Sequence, residues 1–125
     1  WLKLNIDELD LIYPSSQSSM TRMQTLIEQH GLKGVILTQG SAGAKLMSEN
    51  GSLHQVAPAS EVEIIDTVGA GDAFTSVIIT GLIKKWPMAI TLQRAQLFAS
   101  AIVGQRGATV SSRDFYQSFI QQWTL

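Results

Sequence analysis

The run Asp66-Thr67-Val68-Gly69-Ala70-Gly71-Asp72 joins two glycines and a carboxylate to the start of an apolar stretch. Glycines at 69 and 71 let backbone N–H groups turn outward with no Cβ in the way. Directly before a helix, such unpaired amides and the positive end of the helix dipole form a site for an anion. A phosphoryl group passing between two oxygens builds charge that this kind of site stabilises. Asp72, at the end of the turn, is placed to accept the proton of an attacking hydroxyl. A lone GxGD also has a plainer reading, a Gly-rich turn whose aspartate caps a helix.

Other polar clusters carry the same double meaning. Thr38-Gln39-Gly40-Ser41-Ala42-Gly43 follows the apolar run GVILT, and two glycines after a strand allow a backbone to approach a ligand closely. Taken alone, that spacing is an ordinary turn. Asn5 and Glu8 open a helix, where a cap and a solvated face account for both. His30 stands before Gly31 at a helix end, where a charge–dipole contact suffices. His54 stands alone on a strand, with no HxH or HExxH spacing to support a metal ligand. Ser41 and Ser76 lack a nucleophile's setting, and Trp86 and Trp123 read as packing residues.

The elements that must position these residues alternate between strands and helices. Residues 1–5 read as a strand, and residues 6–13 as a brief helix stopped by Pro14. The polar run 15–19 supplies the N-cap of a second helix, which Gly31 ends. Residues 34–38 form a short apolar run typical of a buried parallel strand. Two extended segments, 44–48 and 53–57, flank the hairpin pair Asn50-Gly51. A further strand is expected at 62–65. Helices follow over 70–85, where two lysines complement the C-terminal dipole, over about 92–103, and after Ser111-Ser112. This order indicates an α/β layered sheet with one inserted hairpin, and a single domain spanning 1–125.

Composition narrows the function classes. The chain has 125 residues, 45% hydrophobic and 15% charged, with mean hydropathy +0.13, which is apolar for a small free-standing domain. A missing partner surface, either a second subunit or another part of the same chain, would account for that balance. Net charge is −1 and Lys84-Lys85 is the only adjacent basic pair, so nucleic-acid binding has no electrostatic footprint. There are no cysteines, which excludes a disulfide framework and thiolate metal sites and fits a reducing, cytoplasmic setting. No apolar run is long enough for a membrane span, and the first residues carry no signal-peptide pattern. They also lack an initiator Met, which suggests a piece of something longer.

DTVGAGDAF, residues 66–74, closely resembles the DTxGAGDxF signature of the PfkB/ribokinase family of carbohydrate kinases. The resemblance implies the C-terminal portion of a ribokinase-like three-layer α/β/α fold, with a mostly parallel sheet and an inserted hairpin. It assigns the catalytic base to Asp72 and the anion hole to Gly69, Ala70 and Gly71. Asn5-Ile6-Asp7-Glu8 is similar to the family's N-x-x-E motif, which organises Mg²⁺ and phosphate largely through water, and Mg²⁺ does favour few carboxylates. Leu4 stands where the family often has Pro or Val. The 38–43 segment resembles the T-x-G-x-x-G loop beside the ATP phosphates and ribose, which places Thr38, Gly40, Ser41 and Gly43 with Asn5 and Gly71 at the nucleotide. By ungapped spacing from Asp72, Gln96 falls near the adenine. The same spacing puts Asp66, Val68, Ile102, Gln105, Gly107 and Ser111 at a monovalent-cation loop suited to K⁺.

Under this resemblance the chain is the ATP-binding half of a kinase that phosphorylates a sugar hydroxyl. The sugar pocket and water-excluding lid would come from an N-terminal half that the sequence does not contain. The tail FASAIVGQRGATVS, residues 98–111, leans towards fructokinase-type members. The competing expectation is a non-catalytic nucleotide-binding or assembly module on the same fold. A dinucleotide-binding oxidoreductase fails for want of G-x-G-x-x-G between a first strand and helix.

Overall fold

The computed structural model describes residues 1–57, 69–104 and 110–124. In chain order the elements are β1 (Leu2–Asn5), α1 (Ile6–Ile12), α2 (Ser19–His30), β2 (Gly34–Thr38), β3 (Ala44–Ser48), β4 (Leu53–Val56), α3 (Ala70–Lys84), α4 (Met88–Val103) and α5 (Arg113–Gln122), with a 3₁₀ turn at Gly40–Ala42. The strands form one sheet in the order β1-β2-β3-β4. β1 and β2 run parallel, with Lys3 opposite Ile36 and Asn5 opposite Thr38. β2·β3 and β3·β4 are antiparallel. The expected inserted hairpin is β3·β4, and with the antiparallel return of β3 on β2 it makes the described sheet mixed around the parallel pair β1·β2. Tight turns at 39–43 and 49–52 return the chain on itself, and a short connection of that kind imposes antiparallel pairing. The strand expected at 62–65 lies outside the described residues.

The alternation of side chains along the strands builds three layers. Leu4, Val35, Leu37 and Met47 lie on one face and pack with Leu9 of α1 and Met23, Leu26 and Ile27 of α2. Ile36, Ala44 and Leu46 lie on the other, against Phe74, Val77 and Ile78 of α3 and Leu92, Ala95 and Ala99 of α4. Covered on both faces, β2 is apolar and buried from Gly34 to Leu37 and ends at the half-buried Thr38.

Local chemistry sets the ends of the helices. Ser18 Oγ accepts from the Thr21 amide at 3.2 Å to start α2, and Gly31 ends it at φ 60°. α4 begins at Met88, earlier than the Leu92 expected from sequence, with Pro87 as its N-cap. Pro87 pre-sets the entry backbone, and the fully buried Thr91 returns its hydroxyl to the Pro87 carbonyl at 3.1 Å. Gly81 of α3 lies directly on Thr91, where an added Cβ would overlap the threonine methyl. Trp123 closes the far end of this core, edge-on to Trp86 at 5.9 Å, with the Arg94 guanidinium 4.2 Å over the Trp86 ring.

Candidate active site

Gly69 caps α3 with φ 85°, a backbone position that favours glycine, and it offers no capping side chain. The first helical return is the Ala73 amide to the Gly69 carbonyl at 2.9 Å. The amides before it remain available at the positive end of the helix dipole. Gly71 is exposed, and a Cβ added there would meet only the Lys3 ammonium, at 3.4 Å. Asp72 is exposed in the first turn, and among the described residues its carboxylate has no hydrogen-bond or ion-pair partner. A helix start with no side-chain cap and glycines at 69 and 71, beside a carboxylate unpartnered among the described residues, suits an anionic ligand and a proton acceptor.

Asn5 and Glu8 form a reciprocal capping box at α1. Asn5 Oδ1 accepts from the Glu8 amide at 2.8 Å, and Glu8 Oε2 accepts from the Asn5 amide at 2.8 Å. The capping role weighed from sequence is thus realised. The side-chain Nδ2 of Asn5 and Oε1 of Glu8 have no partner among the described residues, and both residues are exposed. The spare carboxylate oxygen suits Mg²⁺, which keeps most of its waters, and Nδ2 of Asn5 is a donor suited to a phosphate oxygen.

The two glycines after β2 differ in what they do. Gly43 adopts φ 88°, ψ −140°, and an added Cβ would overlap the Val56 carbonyl of β4. Its bareness serves the sheet. Gly40, at φ 55°, has no atom within 4 Å of the Cβ position and presents open backbone. Ser41 lies within this turn, which the Gln39 amide closes on the Gly43 carbonyl at 2.8 Å. Thr38 ends β2, its hydroxyl 3.5 Å from the Leu4 carbonyl.

Asn5, Thr38, the Gly40 turn and the first turn of α3 gather at the carboxyl ends of the parallel pair, where open α/β sheets place ligands. Lys3 bridges the two sides, donating to the Gly71 carbonyl at 3.4 Å across 68 residues of chain. Sequence reading did not single Lys3 out. Its signal was a lone cation in the apolar strand LKLN, on the same face as Asn5. Gln96 lies half-buried in α4, its amide donating to Ser100 Oγ at 3.3 Å, with no described contact to the Gly40 turn. Ile102 is buried at the end of α4 and Ser111 is exposed before α5. Asp66, Val68, Gln105 and Gly107, the other residues expected at a cation loop, lie outside the described residues. Two concavities, one of about 170 Å³ beside Asn50 and one of about 390 Å³ between β4 and α4, include none of these site residues.

The family model described as pfkB family carbohydrate kinase matches residues 1–114. The chain belongs to that family. Among curated relatives, fructosamine kinase FrlD of Bacillus subtilis is 33% identical over 93 residues, covering 74% of this chain and 32% of the relative. Deoxyribokinase of Salmonella typhi is 33% identical over 95 residues, covering 76% and 30%. Among solved structures, an Escherichia coli protein described as a candidate ribokinase II, in complex with ATP and Mg²⁺, superposes with TM-score 0.79 at 27% identity. That superposition covers 97% of this chain and 39% of the other. The pfkB chain thus spans about a third of the length of the curated relatives it matches. The fold is ribokinase-like, and no described helix is long and apolar enough to cross a membrane.

Proposed function

We propose that this pfkB chain supplies the nucleotide-holding and proton-accepting half of an ATP-dependent kinase acting on a sugar hydroxyl. The observation that carries the reading is the uncapped start of α3, with bare Gly69 and Gly71 beside the carboxylate of Asp72, which has no partner among the described residues. Asp72 takes the hydroxyl proton as the acceptor oxygen attacks the γ-phosphorus of the nucleotide. The amides of Gly69, Ala70 and Gly71 hold the charge that gathers on the phosphoryl oxygens. Asn5 and Glu8 hold Mg²⁺ through water, and the bound ion would supply charge neutralisation on the phosphates. Gly40 and its neighbours Thr38, Ser41 and Gly43 lie along the nucleotide, and Gln96 serves the adenine end. Asp66, Val68, Ile102, Gln105, Gly107 and Ser111 contribute a monovalent-cation loop, largely through carbonyl oxygens.

The acceptor in this reading is a ketose of the fructose type, supported by the likeness of residues 98–111 to fructokinase-type members. The relatives' names divide among several sugars, and a panel of fructose, fructosamine, deoxyribose and ribose separates them. The test is Asp72→Asn in the full-length protein that contains this chain. Turnover should fall about 10²–10⁴-fold, as expected for loss of a general base, with nucleotide affinity retained. Unchanged turnover would remove Asp72 from the chemistry.

A further inference from the structure

Arg22 of α2 is the one buried charged side chain among the described residues. Its Nη1 donates to Asp10 Oδ1 at 2.7 Å and to the Tyr13 carbonyl at 3.2 Å. Tyr13 is the C-cap of α1, and the last turn of that helix carries Asp10 but no basic residue. A carboxylate at the negative end of a helix is unfavourable, so α2 supplies the cation that α1 lacks. Stability alone does not account for this contact. It is the only ion pair among the described residues, and Arg22 Nε is buried beside it with no described partner. Desolvating a guanidinium costs about as much as one such pair returns, and an apolar residue of similar volume commonly serves a fold as well.

What the ion pair adds is direction. α1 has seven residues and buries only Leu9, with Ile6 and the cap Tyr13 half-buried. A single buried side chain fixes a point on a helix and leaves its angle loose, and the two bonds from Arg22 fix the far end. That angle decides where Glu8 stands. Asn5 is held by the sheet, opposite Thr38, whatever α1 does. Glu8 belongs to the helix, and its spare Oε1 goes where α1 points. Three residues span about 4.5 Å of helix axis, so a swing of about 10° moves Glu8 by about 0.8 Å, enough to loosen a metal contact. We infer that Arg22 is a positioning residue for the Mg²⁺ end of the site, setting the angle at which α1 carries Glu8. The inference rests on the kinase reading, in which Asn5 and Glu8 hold Mg²⁺ through water. Arg22 acts through Asp10 and Tyr13 and has no described contact with Asn5 or Glu8.

The test uses the full-length protein that contains this chain, with Arg22→Met, Arg22→Lys and Asp10→Asn. Methionine fills the buried stem without charge. Asp10 is exposed and asparagine keeps its shape, so that variant decides the matter if Arg22→Met fails to fold. Calorimetry follows ADP binding across a Mg²⁺ titration and again without the metal, and thermal unfolding follows the fold. Arg22→Met should melt within about 5 °C of wild type. It should raise the Mg²⁺ needed for half-maximal effect about tenfold, and change metal-free ADP affinity less than about twofold. Arg22→Lys should return the Mg²⁺ requirement to within about threefold of wild type, and Asp10→Asn should raise it about threefold. An unchanged Mg²⁺ requirement, or equal losses with and without the metal, overturns the positioning role and leaves the kinase reading standing. Wild-type binding of ADP that ignores Mg²⁺ removes the metal from Glu8, and the role of Arg22 with it. No ADP binding by the folded wild-type protein contradicts the kinase reading itself, and the assignment of Arg22 falls too.

Discussion

Asn5 and Glu8 each accept the other's backbone amide at 2.8 Å, so the pair that marks the N-x-x-E motif also holds the first turn of α1 together. Glu8 therefore answers to two demands, and substitutions can separate them. Glu8→Ala removes both the cap and the charge, and should cost about 1 kcal/mol in urea unfolding. Glu8→Gln keeps an acceptor at the same position of the capping box, and should cost less than about 0.5 kcal/mol. Both variants should lose most of the Mg²⁺ dependence of nucleotide binding. Retained Mg²⁺ dependence in Glu8→Gln would confine Glu8 to the helix.

Gly43 and Gly40 predict opposite profiles. Gly43→Ala puts a Cβ into the Val56 carbonyl at a backbone conformation that only glycine adopts readily, and should cost about 3 kcal/mol or more. Gly40→Ala meets no atom within 4 Å and pays only the left-handed penalty, about 1 kcal/mol. Urea midpoints compare the two directly. A Gly43→Ala variant as stable as Gly40→Ala would contradict the turn geometry.

Gly81→Ala is expected to destabilise, although alanine is the better helix former by about 1 kcal/mol. The added methyl enters the space of Thr91, which is fully buried between α3 and α4. Overpacking of this kind should leave a net loss of about 1–2 kcal/mol, read from thermal or urea unfolding. A stabilised variant would mean that the two helices can separate at this crossing without cost.

Legibility in the sequence follows the range of the interactions. β2 was readable to the residue because burial of residues 34–37 demands an unbroken apolar run, and β3 because Gly43 and the Asn50-Gly51 turn bracket it. α3 was readable from the glycines before it and the lysines at its end. The start of α4 was not, because Pro87 enters the helix through its own fixed dihedral, without a capping side chain to mark it. The β3·β4 hairpin was readable from Asn50-Gly51, whereas the antiparallel return of β3 on β2 was not, because strand direction depends on how the turn returns the chain, which periodicity does not encode. At the site, DTVGAGDAF marked the start of α3, where Gly69 at φ 85° is needed locally. Lys3 was overlooked because its partner, Gly71, lies 68 residues away and meets it only once β1 and α3 are packed. Gln96 was placed by spacing alone, and its described hydrogen bond is to Ser100 within its own helix.

The central claim, that the start of α3 is a phosphate site, is tested most directly by calorimetric titration of MgADP into this chain and its Gly71→Val variant. Gly71 is exposed and a Cβ there meets only the ammonium end of the long Lys3 side chain, so valine should leave the fold intact while filling the site. The account predicts measurable, weak binding to the wild-type chain and none to the variant. Equal binding by both would show that the nucleotide sits elsewhere and that the glycines of α3 only shape a turn.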